Sequence, residues 1–125
     1  MKAEPTVVRW DLDQATVVPN ASNVKYTAGQ VIPNAVLAKV GTGGKVCIYT
    51  SAATDLVVDV NGFVPTGQKP TTLTPARLFE SRPSSATVGT FDGRFVGGGR
   101  IAAGTTTQVL VAGLGGVPSN ATAVM

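Results

Sequence analysis

Five charged residues, Arg77, Glu80, Arg82, Asp92 and Arg94, fall in or beside two short segments, Arg77-Leu78-Phe79-Glu80-Ser81-Arg82 and Phe91-Asp92-Gly93-Arg94-Phe95. A guanidinium group offers its N–H donors as a planar fork that matches carboxylate or sulfate oxygens. Two chemistries therefore fit the segments. The simpler is a charge network that ties loops together; the other is a pocket for a carboxylate or a sulfated sugar. Phe79, Phe91 and Phe95 beside these charges would serve such a pocket as a platform for a sugar ring, but the plainer role for them is to fill the core. On the binding reading the ligand-contacting residues are Arg77, Arg82, Phe91, Asp92, Arg94 and Phe95.

A second group of polar side chains, Asp55, Asp59 and Asn61, is spaced by four and two residues, which places all three on one face of a continuous strand. Oxygen-rich clusters hold calcium, so these three are the candidate metal ligands. The spacing is not that of a helix–loop–helix calcium site, and a solvated strand face is the ordinary explanation. No other cofactor is indicated.

Catalytic chemistry finds little support. The chain has no histidine and a single cysteine, Cys47, so it offers neither a Cys–His mechanism nor an intrachain disulfide. Seven carboxylates could supply an acid/base pair, but sequence alone sets no two of them at the separation that glycoside hydrolysis needs. Gly41-Thr42-Gly43-Gly44 and Gly97-Gly98-Gly99 lack the Lys-Ser/Thr ending and following helix of a phosphate cradle and read as turns. The chain is not expected to be an enzyme.

The elements that must position these residues are strands. Val and Thr abound, charged residues make up only 14%, and no stretch of helical period is free of Gly and Pro for twelve residues. Residues 6–10, 24–26, 35–40, 45–50 and 105–112 read as strands, the last with Thr107, Val109 and Val111 on one face. Residues 55–60 alternate, with Leu56, Val58 and Val60 toward a core. The glycine loop at 41–44 predicts a hairpin between 35–40 and 45–50. Residues 73–83 and 91–99 read as loops and short strands. The pattern predicts one all-β domain over residues 1–125, an antiparallel β-sandwich of immunoglobulin-like or jelly-roll-like kind, with barrel closure as the alternative. A Gly/Pro-rich connection at 66–70 marks the boundary between two halves, 1–65 and 71–125.

Ten basic residues against seven acidic ones give a net charge of +3, but the basic residues are scattered singly, which speaks against nucleic-acid binding. No run approaches eighteen apolar residues and the first five residues lead directly into polar sequence, so neither membrane insertion nor a signal peptide is read from this segment.

Several blocks, in order, resemble a repeat module of large secreted actinobacterial proteins: Pro19-Asn20-Ala21-Ser22-Asn23-Val24, Ala28-Gly29-Gln30-Val31-Ile32-Pro33-Asn34-Ala35-Val36, Val40-Gly41-Thr42-Gly43-Gly44-Lys45-Val46-Cys47-Ile48-Tyr49, Asp55-Leu56-Val57-Val58-Asp59-Val60-Asn61-Gly62-Phe63, Thr74-Pro75-Ala76-Arg77-Leu78 and Gly115-Gly116-Val117-Pro118. The resemblance covers most of the chain. It implies an extracellular or cell-surface location, with the export signal outside this segment, and tandem arrangement beside other modules. It supplies no defined activity. Many similar modules have a second cysteine upstream of the Pro-Asn-Ala-Ser block, which residues 11–18 lack, and an Arg-Leu-Leu-Asp-Thr-Arg block that stands here as Arg77-Leu78-Phe79-Glu80-Ser81-Arg82, with a longer acid. The resemblance further implies that the chain is cut through a strand that runs past Val124 into the segment equivalent to Ala3-Glu4-Pro5 of a following unit, so that its two ends lie close together; the edge groups left unpaired by such a cut are expected to be completed by strand addition from a neighbouring module or a second copy. The function expected is a non-catalytic structural or adhesive spacer; the alternative is a carbohydrate-binding module that uses the Arg- and Phe-bearing loops on a glycan.

Overall fold

The computed structural model describes residues 5–9 and 24–25 by their backbone, and 27–83 and 89–125 in full. Eight strands run through them: β1 (Pro5–Arg9), β2 (Val24–Lys25), β3 (Ala38–Lys39), β4 (Lys45–Thr50), β5 (Val57–Val64), β6 (Thr71–Glu80), β7 (Thr105–Leu110) and β8 (Ala123–Val124). They form two antiparallel sheets, ordered β2-β1-β4-β7 and β3-β8-β5-β6. The arrangement is sandwich-like, with no closed barrel among the described residues. Nor is any helix among them long and apolar enough to cross a membrane.

Period-two alternation explains which residues meet between the sheets. The first sheet contributes Val46, Ile48 and Val109 and the second contributes Val60, Leu78 and Val124, with Val111, Val117 and Ala121 joining them from the connections. The alternation read at Leu56, Val58 and Val60 holds: Val60 is buried, and Leu56 and Val58 pack against the core. β4 lies between β1 and β7, and Cys47, on the side opposite Val46 and Ile48, is only 1% exposed while Lys45 and Tyr49 on that same side are half-buried.

Thr50 closes β4 with its side chain fully buried and its hydroxyl without a hydrogen-bond partner. An unpaired hydroxyl in an apolar site costs about 1–3 kcal/mol. Thr50→Val keeps the β-branched shape and removes that cost, so its expected outcome is a gain of about 1 kcal/mol in urea unfolding.

The hairpin expected between residues 35–40 and 45–50 does not form. β3 joins β8 in one sheet and β4 joins β1 and β7 in the other. The glycine loop crosses between the layers instead of returning along one of them. A 3₁₀ turn, Thr42–Gly44, makes the crossing, with the Gly44 N–H on the Gly41 carbonyl at 2.9 Å. Gly44 has φ +73, and a Cβ on it would lie 2.6 Å from the Ala112 Cβ, so the turn needs glycine both for its dihedral angle and for the close approach of the chain after β7.

Residues 71–80 form the longest strand among the described residues rather than the loops and short strands expected. Pro75 is tolerated because β6 is an edge strand and its register against β5 shifts between Val60 and Gly62. A second shift, between Val58 and Asp59, sets Val58 opposite Phe79 and Asp59 opposite Arg77, so Leu78 is the extra residue of a bulge. The connection at 66–70 is the turn of the β5–β6 hairpin, closed by the Gln68 N–H on the Pro65 carbonyl at 3.2 Å. Chain before and after it contributes strands to both sheets. β8 lies between β3 and β5. Ala3 and Glu4, which the cut-strand expectation invokes, lie outside the described residues, and Pro5 opens β1 in the opposite sheet.

Candidate functional site

The bulge in β6 decides where the charged side chains meet. Arg77 stands opposite Asp59 on β5 and turns its guanidinium onto that carboxylate, Nε to Oδ1 at 2.8 Å and Nη2 to Oδ2 at 3.2 Å. Its remaining nitrogen, Nη1, donates to Glu80 Oε2 at 3.2 Å. Arg82, just past the strand, forks onto the same acid, Nε to Oε1 and Nη2 to Oε2, both at 2.8 Å, and its main-chain N–H also reaches Oε1 at 3.2 Å. Glu80 is fully buried beneath these groups. Taking a carboxylate out of water costs several kcal/mol unless its lone pairs are filled, and here four N–H donors fill them.

The Arg82 guanidinium, bonded to Glu80, is the main cause that holds the Glu80 carboxyl below its usual range, against the opposing effect of burial; the Arg82 main-chain N–H and the charges of both arginines add to it. The hydrogen bond to Asp59 raises Arg77, and the bond to Glu80 raises Arg82. Between the two arginines Ser81 is also fully buried. Its hydroxyl donates to Asp55 Oδ1 at 2.9 Å and accepts the Leu56 N–H at 2.8 Å. The Glu80 side chain thus reaches both guanidinium groups.

The second segment lies along the outer edge of β6. The Phe91 N–H donates to the Arg77 carbonyl at 2.9 Å, the Glu80 N–H to Phe95 at 3.0 Å, Gly97 to Glu80 at 2.8 Å and Gly99 to Ser81 at 2.9 Å. Within this loop Asp92 Oδ1 accepts the Arg94 N–H at 3.0 Å, and the Thr90 hydroxyl donates to the Arg94 carbonyl. The Arg94 guanidinium carbon sits over the Phe95 ring, 4.9 Å from its centre. Phe95 has φ +56, rare for an aromatic residue.

The five charged residues grouped from sequence therefore divide into a network in which the half-buried Arg77 and Arg82 cover the buried Glu80, and an exposed loop that carries Asp92 and Arg94. Phe79 packs against the core as expected, but Phe91 and Phe95 do not fill it: they are 48% and 44% exposed. Asp55, Asp59 and Asn61 have separate engagements. Asp59 has both oxygens on Arg77, Asp55 binds Ser81, and Asn61 is exposed in β5 with its N–H on the Met125 carbonyl. A cation at Asp59 would meet the guanidinium of Arg77. No three His, Cys, Asp or Glu side chains gather into a metal-binding group among the described residues.

Sequence reasoning missed Ser81 as the partner of Asp55, and Asp59 as the partner of Arg77. The missing signal was register, since a bulge changes which residue on β6 faces Asp59. Compared with protein-family models, with curated proteins and with solved structures, the chain matches none.

Proposed function

We propose that the chain is a non-catalytic structural and adhesive module of an exported, cell-surface or extracellular protein, one unit of an array that spaces other domains. The observation that carries this reading is the closure of the Asp59–Arg77–Glu80–Arg82 network on itself. A general acid or base works best with a pKa near the operating pH and must reach the proton it transfers. Glu80 is held further from that range than a free carboxylate, and both of its oxygens are occupied by the chain's own donors. Such a cluster fixes an edge strand and its covering loop.

Strand addition by a neighbouring module or a second copy suits the other sheet. β6 is blunted by Pro75, by two register shifts and by loop 89–99, devices that protect an edge. Among the described residues β7 ends its sheet, and its residues include neither charge nor proline. Light scattering at rising concentration tests this: reversible growth in mass is expected, and a strict monomer contradicts it.

The non-catalytic reading is tested with chromogenic glycosides, esters and peptides. No turnover is expected. Turnover that disappears in Glu80→Gln, at a temperature where the variant is still folded, overturns it.

A further inference from the structure

Arg77 and Arg82 turn their guanidinium forks onto carboxylates of their own chain, whereas among the described residues no carboxylate pairs with Arg94. The nearest acid in sequence, Asp92, directs Oδ1 to the Arg94 main-chain N–H at 3.0 Å and to the Thr90 hydroxyl at 3.4 Å. The Arg94 side chain lies over the Phe95 ring instead. A cation held over a ring in this way spends no N–H hydrogen bond on an acceptor atom. Its N–H donors lie in the plane and stay available. A long side chain normally loses much conformational freedom when it binds; the stack and the loop's four backbone bonds to Arg77, Glu80 and Ser81 have already limited that freedom.

The loop that carries this fork also carries aromatic surfaces that the core does not use. Phe95 is 44% exposed and is held at φ +56, a dihedral angle that aromatic residues seldom adopt and that persists where surrounding structure enforces it. Phe91, four residues earlier on the same loop, is 48% exposed.

We infer that Arg94, Phe95 and Phe91 form a binding site for the acidic sugar units of a polysaccharide. The fork takes a carboxylate or sulfate, and the exposed phenyl surface takes the C–H face of the sugar ring. Charge decides the class. Membrane surfaces and nucleic acids are recognised by clusters of several cations, whereas residues 89–100 hold two arginines, Arg94 and Arg100, against one acid, Asp92. A sugar unit with one charge and one apolar face matches that balance. An acidic peptide offers the charge without the rigid ring. The site requires only loop 89–99, so its failure leaves the spacer role standing.

The test is calorimetric titration of the purified chain with galacturonate oligosaccharides, sulfated dextran oligosaccharides, neutral dextran and poly-glutamate. Saturable binding to at least one acidic saccharide is expected, with neutral dextran and poly-glutamate weaker by about tenfold or more. Arg94→Ala is expected to weaken that binding by about tenfold or more, and Arg94→Lys to weaken it too, because a point charge lacks the fork. Phe95→Gly separates binding from folding: glycine accepts φ +56 without strain, so the melting temperature should hold or rise while affinity falls. The inference is overturned by absence of binding to both acidic saccharides, by binding unaffected by Arg94→Ala and Phe95→Gly, or by equal affinity for poly-glutamate or neutral dextran.

Discussion

Glu80→Gln is expected to lower the unfolding free energy by about 2–3 kcal/mol at neutral pH, the scale of hydrogen bonds to a charged partner. The substitution keeps the shape of the side chain but removes the charge that two guanidinium groups share, and it turns an amide NH₂ toward donors where an oxygen had stood. Both arginines then keep their charge without the acid between them. The effect depends on pH in a defined direction. The folded-state pKa of Glu80 is depressed, so its contribution is complete above the unfolded carboxylate value, about 4.3, and is lost as pH falls through the folded value. The stability gap between wild type and variant should therefore be widest at neutral pH and close toward strong acid. Urea unfolding at a series of pH values checks this, and a gap that widened in acid would contradict it.

Leu78→Ala is expected to cost about 2–5 kcal/mol, the range for removing a large side chain from a packed core. Leu78 is the bulged residue of β6 and is 1% exposed. Gly115 lies so close that a Cβ there would come within 3.1 Å of Leu78 Cδ2 and 3.2 Å of Val60 Cγ1. Little around the site can move inward to fill the space. Val57→Ala, on the exposed face of the neighbouring strand, serves as the control and should change stability by less than about 0.5 kcal/mol. Equal losses at the two positions would mean that the bulge does not direct Leu78 into the core.

These two residues also show what could be read from the sequence and what could not. Leu56, Val58 and Val60 declare their face through strict alternation, and residues 105–110 declare a strand through their β-branched side chains, because both signals are local. The clustering of Arg77, Glu80 and Arg82 was likewise visible, since it lies within six residues. The partner of Arg77 was not, because Asp59 is eighteen positions away and the register that joins them contains a bulge. A glycine loop between two β-rich runs reads as a hairpin whether the second run returns beside the first or crosses to the other sheet; the outcome was set by where Ala38 and Val46 find their partners. Residues 73–83 read as loops and short strands, and the long strand β6 emerges from its pairing with β5, where an edge position and a register shift accommodate Pro75. Phe91 and Phe95 look like core residues by type alone, and their exposure follows from loop 89–99 lying along the outer edge of the sheet.

On this reading the buried Glu80 carboxylate and its two arginines hold the β6 edge and its covering loop together. Hydrogen exchange of single amides measures this most directly. In the wild-type chain the amides of Phe91, Gly97 and Gly99, which bond across to Arg77, Glu80 and Ser81, should be protected. In Glu80→Gln they should exchange faster together, while the amides paired between β4 and β7 keep their relative protection. Unchanged exchange at Phe91, Gly97 and Gly99 in the variant would show that the loop is held by something other than this network.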